Sequence, residues 1–240
     1  VTLLPTYLLR FNIGIPVTFL EVMIVIVFVV WIFQNRLFLM ERWYGLVKGK
    51  LPSEKKQYPF HYSMIAWLLV SFAAVGVAGW SIAALGMWRA YFFEPLLLFI
   101  IIVNIFNSKE KILTLISALG ISVIGVSLLA WYQYATGQFI VNDFWASSSN
   151  RRATSFFPYP NAIGLYVAPI ILLLVGQVKY IWESGITFVT AKWHYIISLL
   201  GIILGMGAIV AAKSEGAAFG LVICFLIFGL VANTKTRLLS

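Results

Sequence analysis

Ile112–Tyr132 reads ILTLISALGISVIGVSLLAWY, twenty-one residues without a single Asp, Glu, Lys or Arg. A stretch of about 20 apolar residues, wound as a helix, matches the ~30 Å hydrocarbon core of a bilayer. A membrane barrel strand would be shorter and would alternate apolar with polar residues, and this run does not alternate. Six more stretches are apolar and long enough, or nearly so: Val17–Asn35, Tyr62–Trp80, Tyr91–Phe106, Ala162–Val178, Tyr195–Ala212 and Ala217–Asn233. The sequence therefore predicts an all-α fold, a polytopic transmembrane helical bundle of about seven complete spans in one domain covering residues 1–240.

Composition points the same way. Hydrophobic residues make up 62% and charged residues 10% of the chain, against roughly 25% charged in a soluble domain. With a mean hydropathy of +0.96, a soluble enzyme, a disordered tail and a fibrous repeat are excluded. Cys224, the single cysteine, permits no intrachain disulfide and no Cys-based metal site. Val1–Leu9 is apolar but too short to cross, and it lacks the basic flank and cleavage site of a signal peptide. It reads as a partial N-terminal span. Asn233–Ser240 is a short basic stub, so the chain is expected to be a piece incomplete at both ends.

The formal charge of +9 would suit nucleic acid in a soluble protein. Here the cations sit between apolar stretches, and no nucleic-acid partner is expected. The loop 36–61 holds Arg36, Arg42, Lys48, Lys50, Lys55 and Lys56. If the chain crosses alternately, Lys109, Lys111, Lys179, Lys192, Lys235 and Arg237 fall on that same side. Twelve of the seventeen basic residues then share one face, which the positive-inside rule assigns to the cytoplasm. Arg10, Arg89, Arg151, Arg152 and Lys213 are left outside, each near the end of a span. Individually they can snorkel to lipid headgroups; as a set they fit an anionic ligand. Glu21 and Glu94 lie near the outer helix ends. Glu94 with Pro95 reads as a helix start, and Glu21 as either a polar contact in the bundle or a group orienting an arginine.

The longest outer segment, Gln133–Pro160, reads QYATGQFIVNDFWASSSNRRATSFFPYP. Its aromatic residues suit the membrane surface. Pro158 and Pro160 impose a non-helical approach to the next span, which Asn161 is placed to cap. Arg151 and Arg152 beside that helix start would form a phosphate cradle. The spacings Gly201-x-x-x-Gly205, Gly216-x-x-x-Gly220 and Gly76-x-x-Gly79 predict close helix packing, with a tight hairpin at Lys213–Gly216.

The string RRATSFFPYPNAIGLY resembles the Arg-rich, Phe-x-x-Pro-Asn signature of the O-antigen ligase and O-antigen polymerase superfamily. AAKSEGAAFG resembles that family's short Ser-containing outer turn, and LLPTYLLRF with GIPVTFLE is similar to its early segments. The resemblance implies a membrane glycosyltransferase at the outer face of the bacterial cytoplasmic (inner) membrane. Its donor would be a polyprenyl-diphosphate-linked glycan, its acceptor a lipid or glycan, and it would use no metal or other cofactor. Arg151 or Arg152 matches the family's arginine; Asn161, Lys213 and Ser214 match its two motifs, and Arg89 joins them as an outer cation. Where many relatives carry Arg after the turn's Ser, this chain has Glu215. Either Lys213 substitutes, or that arm of the site is altered and the turn is structural. The family's catalytic histidine is expected outside this chain, since His61 and His194 both adjoin cytoplasmic loops. The alternative is a transporter or flippase of lipid-linked glycans, which should show interrupted helices and polar groups at mid-membrane.

Overall fold

A computed structural model describes residues 10–12, 16–37, 40, 44, 60–184 and 188–238. The partial span expected at Val1–Leu9 and most of the loop 36–61 lie outside the described residues, as do the side chains of Arg10, His61, Lys235 and Arg237. The chain divides into two compact units, one within Leu9–Asn107 and one over Ser108–Ser240.

The first unit opens with a small antiparallel ladder, β1 (Arg10–Asn12) on β2 (Pro16–Thr18), in which Arg10 faces Thr18. Helix α1 (Phe19–Gln34) starts from a capping box: Glu21 N–H donates to Thr18 Oγ1 at 3.2 Å and Thr18 N–H donates to Glu21 Oε2 at 2.8 Å. Two otherwise orphaned backbone donors are satisfied reciprocally. Helix α2 (His61–Val77) follows. Then α3 (Ile82–Trp88), a π-helical turn at Arg89–Phe93 and α4 (Glu94–Ile105) run together without a break. Pro95 has no N–H to continue the ordinary ladder. The preceding Glu94 N–H reaches back five residues to the Arg89 carbonyl, widening the turn.

This continuity corrects the expected boundary at Tyr91. The third span begins at Ile82, and Arg89 lies inside the helix rather than in a loop. Two carboxylates hold it there: Arg89 Nη2 lies 2.9 Å from Glu21 Oε2, and Nε lies 3.2 Å from Glu94 Oε1. Pairing is the condition on which apolar surroundings tolerate a charge. Glu21 therefore both caps its helix and orients an arginine.

In the second unit α5 (Lys109–Thr136) begins at the Ser108 cap and ends at Gly137 in the left-handed region, φ +75°. A one-turn helix α6 (Asp143–Ala146) sits in the following loop. Then come α7 (Asn161–Glu183), α8 (Phe188–Ala211) and α9 (Glu215–Leu238). The core lies where α5, α7 and α8 meet, around Val123, Val126, Ile163, Val167, Ile171 and Leu174. One end of this unit carries Lys109, Lys111, Lys179 and Lys192, the opposite end Arg151, Arg152 and Lys213.

Four stretches are long and apolar enough to cross a membrane: Ile82–Ile105, Lys109–Thr136, Asn161–Glu183 and Ala191–Ala211. Phe19–Gln34, Tyr62–Val77 and Glu215–Leu230 are shorter apolar helices. Among the described residues, four of the seven expected spans are long enough to cross; the other three stretches form apolar helices that fall short of that length. Large apolar side chains such as Val77, Leu165 and Val210 are exposed, while Ser117, Gln133, Gln177 and Ser198 are buried. That distribution suits lipid as solvent, and the chain is an integral membrane protein.

Gly201 and Gly205 perform the expected close packing. A Cβ at Gly201 would meet Leu174 at 2.7 Å, and one at Gly205 would meet Val167 at 2.9 Å and Val123 at 3.0 Å. Gly216 and Gly220 contradict it, since a Cβ at either has nothing within 4 Å; α9 packs chiefly on α7 instead of closing a tight hairpin with α8. The atoms nearest a Cβ at Gly76 belong to Trp80 of its own segment, at 3.3–3.7 Å, and Gly79 meets nothing within 4 Å, so neither glycine of that pair is closely met by a second helix. Toward the lysine-bearing end, Ser117 Oγ shares a 2.7 Å hydrogen bond with His194 Nδ1 and accepts from Gln177 Nε2 at 3.0 Å, tying the three core helices. Gly201→Val is expected to destabilise the protein by about 1–3 kcal/mol through overpacking. Gly220→Ala should leave the detergent melting temperature unchanged or raise it, as read by fluorescence-detected size-exclusion after heating.

Candidate functional site

The segment expected to hold phosphate is anchored by a buried glutamine. Gln133, at the end of α5, is fully buried; its Oε1 accepts from the Thr154 N–H at 2.9 Å and from the Ser155 N–H. Its Nε2 donates to the carbonyls of Phe139 at 2.8 Å and Ser155 at 3.0 Å. Ser155, held at φ +51°, donates from Oγ to the Val126 carbonyl at 2.8 Å. A loop that buries backbone must satisfy its amides somewhere, and here one side chain satisfies two donors and two acceptors. The chain from 151 to 160 is non-helical, as its prolines require.

The two arginines part company. Arg151 Nη1 donates to the carbonyls of Tyr134 at 3.2 Å and Ala135 at 3.0 Å, closing the C-terminal end of α5. A cation there complements the helix dipole and the unpaired carbonyls. Gly137 leaves the room: a Cβ on it would come within 2.9 Å of Arg151 Nη2. Arg151 is thus not on the lining of the cavity described below, and the paired cradle is replaced by a single guanidinium.

Arg152 turns the other way. Nε donates to the Ala212 carbonyl at 2.8 Å, and Nη2 donates to the Lys213 carbonyl at 3.0 Å and to Asn161 Oδ1 at 2.7 Å. The neighbouring Ala153 N–H donates to the Ala211 carbonyl at 2.9 Å. One edge of the guanidinium is consumed in fixing the loop to the start of α7 and the turn before α9. Among the described residues Nη1 has no such partner, so two N–H groups remain for an anion.

Asn161 does not cap α7. Pro160 occupies the cap position, and Asn161 is the first helical residue, its carboxamide oxygen taken by Arg152. The Ala162 and Ile163 amides already donate to Tyr159 and Pro160 at 3.2 and 3.0 Å. The expected row of free amides at this helix start is therefore reduced.

Arg152, Asn161, Lys213, Ser214 and Glu215 form the polar mouth of a cavity of about 820 Å³ between α7 and α9. Below the mouth its walls are Leu165, Ala168, Pro169, Leu172, Ala217, Leu221 and Cys224, with Gly164, Gly216 and Gly220. A second cavity of about 330 Å³, lined by Val175, Phe225, Ile227 and Phe228, shares Leu172 and Cys224 with the first and extends the apolar groove. Pro169 interrupts the ladder of α7 beside this space, depriving the Leu165 carbonyl of its usual donor. Ser214 is buried and wedged against Gly164, whose missing Cβ would collide with its Oγ and with Ala217. Lys213 precedes it at φ +49° and is exposed.

Four of the six expected substrate-binding residues, Arg152, Asn161, Lys213 and Ser214, thus line one cavity. Arg151 serves a helix end, and Arg89 belongs to the other unit, paired with Glu21 and Glu94. His194 lies 17 residues before Ala211 in α8, about 25 Å along its axis from the mouth. Gln133, Ser155 and Pro169 were not singled out from sequence. A glutamine ending an apolar helix and a proline inside one were the available signals. Among the described residues no group of three metal-ligating side chains occurs.

Gln133→Leu is expected to leave the Thr154 and Ser155 amides unsatisfied, at about 1–3 kcal/mol each. Hydrogen exchange at 153–157 should accelerate while the middle of α7 stays protected; unchanged exchange would remove the anchoring role. No family model matches the chain, and no curated protein or solved structure matches it.

Proposed function

We propose that this chain is part of a membrane glycosyltransferase of the O-antigen ligase or polymerase type, acting at the outer face of a bacterial cytoplasmic membrane in surface polysaccharide synthesis. Its donor is a polyprenyl-diphosphate-linked glycan and its acceptor a lipid or glycan. The observation that supports this reading is the amphipathic cavity: a cationic mouth opening into an apolar groove between two helices. An anionic headgroup on a long apolar chain has that same distribution. The free Nη1 edge of Arg152 and the Lys213 ammonium bind the diphosphate, and the first turn of α9 adds the positive end of its dipole.

Those donors also serve the chemistry. As the bond from the sugar's anomeric carbon to the diphosphate oxygen breaks, negative charge grows on the leaving group, and donors already aimed at it lower the barrier. Arg152 is pre-organised because its other edge is locked by three acceptors. Sidedness follows from the lysine-bearing end facing the cytoplasm.

A second reading, a transporter or flippase of lipid-linked glycans, is favoured by two interruptions: the π turn at Arg89–Phe93 and Pro169 in α7. It predicts movement of the lipid without transfer of its glycan.

In the full-length protein in nanodiscs, Arg152→Ala and Lys213→Ala should each weaken undecaprenyl-diphosphate binding at least tenfold and reduce glycan transfer. Arg151→Ala should lower thermal stability while the folded fraction still binds. Equal binding by all three variants would sink the cavity as donor site. With Cys224 replaced by Ala, Ser149→Cys should react with an impermeant maleimide in intact cells, and labelling only after permeabilisation would invert the topology.

A further inference from the structure

We propose that the start of α9 holds the lipid-linked phosphoryl group of the donor, leaving the sugar-linked one to Arg152 and Lys213. The inference rests on the function proposed above. It adds a second ligand class, because a polyprenyl monophosphate carries the same lipid-linked phosphoryl group.

Ser214 stands directly before α9, where a serine hydroxyl ordinarily accepts a bond from the second or third helical amide. Here it does not. Among the described residues Ser214 Oγ has no hydrogen-bond partner, and the N–H groups of Glu215, Gly216 and Ala217 have none either. The first amide of this stretch to be satisfied is that of Ala218, which donates to the Ser214 carbonyl at 3.0 Å. A hydroxyl and three successive amides are thus left as donors, and a phosphoryl group supplies the several acceptor oxygens they lack.

Ser214 is placed to serve a ligand rather than the core. It is only 6% exposed, yet it lines the cavity together with Gly216 and Ala217. Ser127 Oγ equally lacks a partner, but that residue is fully buried and lines neither of the two cavities beside α7 and α9. The Ser214 hydroxyl is also held in place. Its own N–H donates to the Ile209 carbonyl at 3.1 Å, and Oγ presses against Gly164, where any Cβ would collide with it.

From Ser214 the cavity wall continues along α9 through Ala217, Leu221 and Cys224. An apolar chain lying on that wall brings the phosphoryl group bonded to it to the helix start. The next phosphoryl group falls to the Nη1 edge of Arg152 and to Lys213, the cations that meet the charge on the leaving oxygen. Glu215 opposes an anion here, but it is exposed and water screens its carboxylate.

In the full-length protein in nanodiscs, Ser214→Ala should weaken undecaprenyl diphosphate and undecaprenyl monophosphate alike, each by about tenfold. Lys213→Ala should weaken the diphosphate far more than the monophosphate. Hydrogen exchange of the wild-type amides 215–217 should slow on addition of either lipid, a readout that serves even where Ser214→Ala folds poorly. Four results each overturn the assignment: full affinity of Ser214→Ala for both lipids, a loss confined to the diphosphate, a wild type that ignores the monophosphate, or unchanged exchange at 215–217. Tight diphosphate binding by the wild type beside any of them leaves the donor-site reading standing. A wild type that binds neither lipid removes both.

Discussion

The geometry at the α7–α9 mouth depends on the hydrogen bonds that lock one edge of the Arg152 guanidinium. Ala212, Lys213 and Asn161 belong to three different pieces of chain: the end of α8, the turn before α9 and the first residue of α7. Without this side chain the Ala212 and Lys213 carbonyls, just past the end of α8, would lose their Arg152 donor, and the start of α7 its tie to that turn. The planar fork of arginine suits this, since several rigid donors diverge from one centre, whereas a lysine ammonium is a compact point charge on a flexible stem. The same bonds leave Nη1 without such a partner among the described residues, on a side chain that also lines the cavity.

Arginine has three different fates in this protein, decided by what stands next to it. Arg89 sits between two carboxylates and is neutralised inside a helix. Arg151 meets backbone carbonyls at a helix end and supplies the charge the dipole favours. Arg152 meets carbonyls on one edge only. Counting cations at one end of the bundle treats the three as equivalent. Their electrostatic value to a ligand is not, because a guanidinium already compensated by two carboxylates offers little net field.

The helices were legible in the sequence because hydrophobic length is nearly sufficient to define a span. The run at Ile112–Tyr132 lies within α5, and the non-helical approach forced by Pro158 and Pro160 is where the prolines place it. The third span starts at Ile82 and not at Tyr91, because Arg89 reads as a loop residue when its partners are invisible. Glu21 is 68 residues away in sequence, and no local pattern announces that pairing. Asn161 failed as a cap for a related reason: its side chain was claimed by an arginine nine residues upstream. Arg152, Asn161 and Lys213 were readable from adjacency to helix ends, and Ser214 only through the resemblance of its turn to a family motif. Gln133 was not, since its role depends on which loop amides fold back onto it.

The small-residue spacings show where pattern gives way to packing. Gly201 and Gly205 recur at the interval that stacks them on one helix face, and so do Gly216 and Gly220. The first pair is met by Leu174, Val167 and Val123, which fill the space a side chain would have taken. The second pair is met by nothing within 4 Å, and the missing side chains become part of a cavity wall. The difference lies in the partner helix, because α7 carries Pro169 opposite that region and large core residues elsewhere. A glycine interval therefore specifies only that a helix face is recessed. Whether the recess is filled by a neighbour or left for a ligand is decided by the shape of the helix across from it.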